Sequence, residues 1–204
     1  MPSPSDHDPC RALLEEARAG DAQARERLLG DHLQGLTAFV RLRLGEALRA
    51  RETSQDLVQS VYREVLEDLS DFEYRGEASF RHWLFRRAEN KIRDRARFWR
   101  REKRDPGREE RMQAGDENAD RDLLAQLATF ATPSRQLTTR EEIERVERAF
   151  AKLPDDYREV ILLSRIVGLS HEELAAEMGR TPVATRTLLS RALARLATTL
   201  ESTT

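Results

Sequence analysis

One long helical pattern limits the possible folds of this chain more than any other feature. It is FRHWLFRRAENKIRDRARFWRREKR, from Phe80 to Arg104. At 100° per residue its apolar side chains fall within an arc of roughly 160°. They are Phe80, Leu84, Phe85, Ala88, Ile92, Ala96, Phe98 and Trp99. Leu, Ala, Glu and Arg also dominate long stretches elsewhere, and these side chains lose little rotamer freedom in a helix. We therefore predict an all-α protein.

The polar side of this predicted helix is strongly basic. Between Phe80 and Arg104, eleven Lys and Arg stand against three acidic residues, a net charge of +8 in a chain that sums to −2. Trp83 lies on the polar arc, roughly 300° from Phe80. Cations bind phosphate, and rings stack on unpaired bases of any sequence. Because such a charge excess would repel itself without an anion, we interpret this side as DNA-binding. The alternative is a solvated face with Trp83 packed under a loop such as Tyr74 to Ser79.

Shorter helical patterns precede the basic helix. Residues 1–9 are rich in Pro, Ser and Asp, and we predict that they are disordered. Amphipathic patterns then run over residues 10–19, 22–29 and 33–49. Together with the basic helix they predict a first helical domain, residues 10–104.

A stronger helix begins at Thr53, where Asp56, three residues on, is the expected capping partner. One stripe predicts its buried side: Leu57, Val58, Val61, Tyr62, Val65, Leu66 and Leu69. The opposite side carries Gln55, Asp56, Gln59, Arg63 and Glu67. The segment DFEYRGEAS, with Gly76 inside it, breaks the pattern and is predicted to be a loop or short turn. The basic helix then begins at Ser79 or Phe80.

The apolar pattern lapses over residues 105–140, which are predicted to be a linker with a short helix over 120–130. It returns in residues 141–204, the second predicted domain. There a first helix is followed by one over 155–167, which closes at Gly168. The fold prediction is therefore two small helical domains joined by a linker.

The second domain ends with the signals of a helix-turn-helix. Ser170 with Glu173 is a capping box, Gly179 suits a left-handed helix end, and Thr181 before Pro182 starts the next helix. Two helices joined by so tight a turn predict a helix-turn-helix. The alternative is a plain helical hairpin. Because its charges cancel, this unit alone should bind duplex DNA weakly.

The last helix is predicted to have an apolar side and a polar side. Its inward residues are Val183, Leu188, Leu189, Ala192, Leu193, Leu196 and Leu200. Its outward residues are Thr185, Arg186, Thr187, Ser190 and Arg191. Short polar side chains with spaced arginines suit a DNA major groove. We therefore interpret the outward side as a duplex-binding surface.

Other chemistries find little support. His171 and Glu172 begin like a zinc-protease helix, but Ala175 stands where the second His would be. Cys10 is the only cysteine and cannot form an internal disulfide. No apolar run approaches the roughly 18 residues that span a bilayer, and the start MPSPSDHDP is unlike a signal peptide. We expect a cytoplasmic protein without catalysis, metal or cofactor.

Three runs together resemble bacterial RNA polymerase sigma factors of the extracytoplasmic-function group. They are DLVQSVYREVL from Asp56, FRHWLFRRAENKIRDRARF from Phe80, and LPDDYREVILLSRIVGLSHEELAAEMGRTPVATRTLLSRAL from Leu153. The resemblance covers about 20–104 and 143–200, and it implies a region 2 domain followed by a region 4 domain. In that family the first run contacts the polymerase clamp helices, the second melts and reads the minus-ten element, and the third reads the minus-thirty-five element.

The resemblance implies three sets of site residues. Polymerase contacts would come from Asp56, Leu57, Val58, Gln59, Tyr62 and Arg63. The melted minus-ten strand would meet Tyr74, Arg81, Trp83, Arg86, Arg87, Asn90, Lys91, Arg93, Asp94 and Arg97. The minus-thirty-five duplex would meet Thr181, Thr185, Arg186, Thr187, Ser190 and Arg191.

The implied partners are core RNA polymerase and promoter DNA. The sequence leaves open whether there is also an anti-sigma factor, which would cover the same surfaces. Two features depart from the family pattern: Thr185 stands where an apolar residue is common, and DFEYRGEAS, where the family holds a flipped base, shows no readable specificity. Two alternatives remain open. One is a stand-alone dimeric helix-turn-helix regulator that reads paired half-sites about one helical turn apart. The other is an RNA-binding adaptor whose basic helix recognises loops by stacking.

Overall fold

The computed structural model describes residues 8–102 and 140–202. Within these ranges the chain forms helices and turns, which confirms the all-α prediction. The helices are α1 Pro9–Arg18, α2 Ala22–Arg43, α3 Glu46–Arg49, α4 Ser54–Glu67, α5 Glu77–Glu102, α6 Arg140–Ala151, α7 Asp155–Ile161, α8 His171–Glu177 and α9 Pro182–Glu201. A 3-10 turn spans Leu69–Asp71, and a π-helical segment spans Leu162–Ile166. Residues 1–7 and 105–139 of the predicted tail and linker lie outside the described residues.

Local capping chemistry sets several helix ends where the sequence predicts them. The Thr53 hydroxyl oxygen accepts from the Asp56 backbone N–H at 3.1 Å, and so begins α4. Ser170 and Glu173 form the predicted reciprocal capping box of α8. Gly179 has a φ of +61°, a conformation that favours glycine, and it lets the chain turn into α9.

Helix α2 differs most from its prediction, because it runs unbroken from Ala22 to Arg43 where two patterns were predicted. Glycine in a helix interior costs about 1 kcal/mol relative to alanine, so Gly30 and Gly35 favour a break. Packing overrides this preference, since α2 buries side chains against α1, α4 and α5. At Gly35 a Cβ would lie 3.4 Å from Phe85 Cζ, at ordinary van der Waals contact, so α5 packs directly against this part of α2.

The first lobe, α1 to α5, has one apolar core. Helix α2 lies at its centre, and α5 packs on α2 and α4. Fully buried side chains include Leu14, Leu28, Leu36, Leu57, Phe80 and Leu84. Burying one such side chain stabilises a fold by about 1.5–3 kcal/mol. Helix α5 begins at Glu77, earlier than the predicted Ser79 or Phe80, directly after Gly76 with its φ of +111°.

The second lobe packs α9 against α6, α7 and α8. The predicted helix over 155–167 is present, but its last part widens into the π-helical segment, where the Val167 N–H donates to the Leu162 carbonyl at 2.9 Å. Gly168, with a φ of +73°, ends it as predicted. Among the helices in the described ranges, none is long and apolar enough to cross a membrane.

Candidate nucleic-acid and polymerase interface

An exposed stripe runs along one side of α5. Its residues are Arg86, Asn90, Arg93, Asp94 and Arg97, spaced three or four apart so that they follow one another along the helix. We call these five residues the α5 stripe. They all belong to the set that the sequence predicts for the melted strand. The stripe offers three guanidinium groups, an amide and one carboxylate to solvent.

The charge on α5 has partners within the chain. Arg87 pairs with Asp68 at 2.6 Å, Lys91 with Glu64 at 2.5 Å and Arg95 with Glu52 at 2.6 Å. These carboxylates come from the segment 52–68, beside α5 in the first lobe. The argument that the helix would repel itself without an external anion is therefore wrong. The charge excess alone does not require nucleic acid.

Trp83 is half-buried rather than free on the polar arc. Its ring stacks on Phe72, with centroids 4.7 Å apart and an interplanar angle of 29°. The Arg87 guanidinium lies over the indole at 5.3 Å from its centroid, within the range of a cation–π contact. The alternative in which Trp83 packs against the neighbouring loop is thus partly right. The side chain remains partly exposed, and it lies one helical turn before Arg86 of the α5 stripe.

The loop that carries Phe72 and Tyr74 rests on α1. Arg18 donates from Nε to the Leu69 carbonyl at 3.0 Å and from Nη2 to the Phe72 carbonyl. The Tyr74 hydroxyl donates to Asp8 at 2.6 Å, and this hydrogen bond lowers the pKa of the Asp8 carboxyl. Burial, followed by the Asp8 contact, raises the pKa of Tyr74.

Sequence reasoning missed α1 as part of this site. Arg11 lies over the Tyr74 ring at 5.5 Å, and with Arg18 it lines a cleft of about 480 Å³ between α1 and residues 70–74. Such contacts join residues more than fifty positions apart, so helical periodicity contains no signal for them. The aromatic residues of DFEYRGEAS were the only available hint.

On α4, the structure divides the predicted polymerase contacts. Asp56, Gln59 and Arg63 are exposed on one side. Leu57 and Val58 are only 1% and 3% exposed. The prediction that these two side chains contact polymerase directly is therefore wrong for this structure. They belong to the same stripe that forms the core, and they hold α4 in place. Tyr62 is half-buried, and its hydroxyl donates to the Leu29 carbonyl at 2.8 Å.

On α9, the structure corrects two predicted orientations. Thr185 was expected outward but is 0% exposed, and Val183 was expected inward but is 68% exposed. The reason is the helical register. Thr185 shares one face with the buried Leu188, Leu189, Ala192 and Leu196, and Val183, two positions earlier, points away from it. The other predicted contacts are exposed: Thr181, Arg186, Thr187, Ser190 and Arg191.

The start of α5 touches the second lobe. Arg86 pairs with Glu177 at 2.9 Å, and His82 Nε2 lies 3.2 Å from the same carboxylate. Arg81 donates to the Gly168 carbonyl at 3.3 Å. Three residues at or beside the predicted melting surface therefore already contact this chain's own second lobe. In the described ranges no group of three or more His, Cys, Asp or Glu side chains could hold a metal ion.

Two family models match the two lobes. A model described as Sigma-70 region 2 matches residues 28–104, and one described as Sigma-70, region 4 matches residues 143–196. These segments coincide with the lobe that carries the α5 stripe and the lobe that carries the helix-turn-helix. The match favours a sigma factor over the stand-alone regulator.

Similar proteins cover nearly the whole chain. The RNA polymerase sigma factor CnrH of Cupriavidus metallidurans is 32% identical over 98% of this chain and 97% of its own length. The ECF RNA polymerase sigma factor ShbA of Streptomyces griseus is 31% identical over 91% of this chain and 92% of its own.

A solved structure agrees with the sequence relatives. CnrH in complex with the cytosolic domain of CnrY resembles this chain with a TM-score of 0.57 and 26% identity, covering 96% of this chain and 99% of that one. The chain thus belongs to the extracytoplasmic-function group of RNA polymerase sigma factors, and it directs promoter recognition and transcription initiation by core polymerase.

Proposed function

We propose a division of labour among three exposed surfaces of this sigma factor. The exposed side of α4, with Asp56, Gln59 and Arg63, binds core polymerase. The α5 stripe and the partly exposed Trp83 meet the melted minus-ten strand. The outward side of α9, with Thr181, Arg186, Thr187, Ser190 and Arg191, meets the minus-thirty-five duplex.

The α5 stripe is the observation that carries the minus-ten assignment. Its five polar side chains remain exposed, although its three arginines also have carboxylates beside them. Arg86 pairs with Glu177, Arg93 with Glu89 and Arg97 with Asp94. Guanidinium groups suit phosphates and base planes, and Trp83 lies beside them as a partly exposed aromatic side chain. A surface with cations beside an aromatic ring fits single-stranded nucleic acid of varied sequence.

The free-energy cost of separating the promoter strands makes promoter opening dependent on polymerase. Separating about ten base pairs at roughly 1.4 kcal/mol per step costs on the order of 14 kcal/mol, against roughly 1–3 kcal/mol per stacked base. One indole and a few arginines do not cover that difference. The isolated protein should therefore leave duplex promoter DNA closed, and core polymerase should supply the remaining contacts.

Permanganate reactivity of promoter thymines tests the assignment. The Arg93→Ala/Arg97→Ala double variant should reduce reactivity in the presence of core polymerase while its affinity for polymerase stays unchanged. Arg27→Ala/Arg148→Ala, which removes two exposed arginines on α2 and α6, is the control for the loss of two surface charges. Undiminished opening by the double variant would remove the α5 stripe from the minus-ten site. Reactive thymines without polymerase would contradict the proposed dependence.

The remaining parts of the proposal follow from this role. The protein acts in the cytoplasm, where core polymerase and the chromosome are, and it works by binding without catalysis of its own. CnrH has been solved with the cytosolic domain of CnrY. By analogy with that relative, we infer that an anti-sigma protein binds this chain and covers its polymerase- and DNA-binding surfaces.

A further inference from the structure

Helix α1 lies outside the segment that matches the region 2 family model, which begins at residue 28. It nevertheless contacts the loop beside the proposed melting surface. The main contact is Arg18, whose Nε and Nη2 donate to the carbonyls of Leu69 and Phe72. A guanidinium is planar and presents its donors in a fixed fork. Two bonds from one fork therefore define the relative position of two carbonyls three residues apart.

The position of the Phe72 carbonyl is important because the aromatic ring of the same residue contacts Trp83. That ring stacks on Trp83 at 4.7 Å and contacts Phe80 edge-on at 5.6 Å. Phe80 is fully buried, so it fixes one side of the aromatic cluster of Phe72, Phe80 and Trp83. Phe72 lies between the 3-10 turn and α5, and its contacts there include the Arg18 hydrogen bond to its carbonyl and its ring contacts with Trp83 and Phe80. A shift of its backbone would move the surface on which Trp83 rests.

Asp8 makes a second connection between α1 and the loop. One carboxylate oxygen accepts from the Cys10 and Arg11 backbone N–H groups and caps α1, while the other accepts from the Tyr74 hydroxyl. The loop is thus held at residues 69, 72 and 74 by a single helix. Capping couples the second connection to the integrity of α1 itself.

We propose that Arg18 is a positioning residue for promoter opening, acting through the Phe72 carbonyl on the Phe72–Trp83 stack. Its effect on Trp83 is a property of the free chain. Its effect on transcription rests on the proposed function, because it requires that Trp83 meet the melted strand. The two effects can be measured separately.

Fluorescence of Trp83 tests the structural half. The chain has two tryptophans, so Trp99→Phe leaves Trp83 as the single reporter. In that background Arg18→Ala should raise acrylamide quenching of Trp83 and shift its emission to longer wavelength, while Arg18→Lys, which keeps a donor, should restore part of the difference. Arg25→Ala is the matched control, since Arg25 Nε donates to the Ala17 carbonyl at 2.9 Å without reaching the loop. Equal quenching in Arg18→Ala and its parent would overturn the proposal.

Promoter opening with core polymerase tests the functional half. Arg18→Ala removes two hydrogen bonds that a charged group makes to the loop. It should slow opening on the order of ten-fold or more, with unchanged polymerase affinity. Raised quenching together with normal opening by both Arg18→Ala and Trp83→Ala would place the melted strand elsewhere and leave the positioning of Trp83 intact. Normal opening by Arg18→Ala while Trp83→Ala is defective would overturn the role of Arg18 in transcription.

Discussion

Thr185 shows how a single buried hydroxyl is accommodated in α9. The side chain donates to the Thr181 carbonyl at 2.9 Å, so its polar atom is satisfied within the helix. The same carbonyl also accepts the Thr185 backbone N–H at 3.0 Å. A position where the family commonly carries an apolar residue therefore tolerates threonine without leaving a buried polar group unpaired.

Thr185→Val should consequently have little effect. It removes one donor from a carbonyl that keeps its backbone partner, so we expect stability to change by less than about 1 kcal/mol. Retention of polymerase holoenzyme on a promoter fragment should be unaltered. Arg186→Ala, one position on and exposed, should weaken retention on the order of ten-fold, since a base or phosphate contact to Arg contributes about 1–3 kcal/mol. A large loss of promoter retention with Thr185→Val would mean that the Thr185 side chain turns outward when the protein binds DNA.

His32 makes the stability of the first lobe depend on pH. Burial, followed by the nearby Arg81 charge, holds the pKa of His32 below its ordinary value of 6.5. The unfolded chain then binds more protons than the folded chain once the pH falls toward and below 6.5, so the free energy of unfolding decreases there. His32→Gln should flatten this part of the curve, with a slope change of at most about 1.4 kcal/mol per pH unit. Denaturant unfolding between about pH 5 and pH 7.5 measures it, and parallel curves would contradict the assignment.

At the scale of elements, Glu52 anchors the far half of α5. It is buried, accepts from Trp99 Nε1 at 2.6 Å and pairs with Arg95 at 2.6 Å. The Arg51 guanidinium lies over the same indole, 4.9 Å from the ring centroid. The residues just before α4 therefore hold the end of the helix that carries the α5 stripe.

Glu52→Ala should loosen this half of α5. It removes the buried acceptor of the Trp99 indole N–H, for which a loss of about 1.5–3 kcal/mol is expected because the acceptor is charged. Hydrogen exchange of the α5 amides near Arg95 should accelerate more than that of amides near Leu84. Glu52→Gln keeps an acceptor oxygen and should recover most of the protection. Uniform acceleration along α5 would instead indicate a global loss of stability.

The ends of the helices were predictable from the sequence, whereas the contacts between helices were not. The caps at Thr53 and Ser170 depend on residues three positions apart, so the sequence contains the whole interaction. The pairing of Arg87 with Asp68 depends on how α5 lies against the end of α4, which periodicity does not encode. For this reason the basic charge of α5 was recognised from the sequence, but its internal carboxylate partners and the support from α1 were not.

At the scale of the whole molecule, ion pairs join the two lobes. Glu147 of α6 is buried and accepts from Arg41 at 2.5 Å and Arg49 at 2.9 Å, while Arg43 bridges Glu89 and Glu159. Glu177 adds the contact to Arg86 and His82. Since these pairs place acidic side chains of the second lobe on cations of the first, part of the α5 stripe is engaged before any promoter arrives.

Removing the charges of Glu147 and Glu177, which both pair with cations of the first lobe, should separate the two lobes. In the Glu147→Gln/Glu177→Gln double variant each acceptor is kept but its charge is lost, and a change of about 2.8 kcal/mol would shift a closed-to-open ratio roughly a hundred-fold. The radius of gyration from small-angle X-ray scattering should rise, and affinity for a single-stranded minus-ten oligonucleotide should increase because Arg86 is released. Glu172→Gln/Glu201→Gln, an equal charge change at exposed positions, is the control. If both double variants scatter like the parent, charge does not hold the lobes together, and the packing of α2 against the π-helical segment Leu162–Ile166 must suffice.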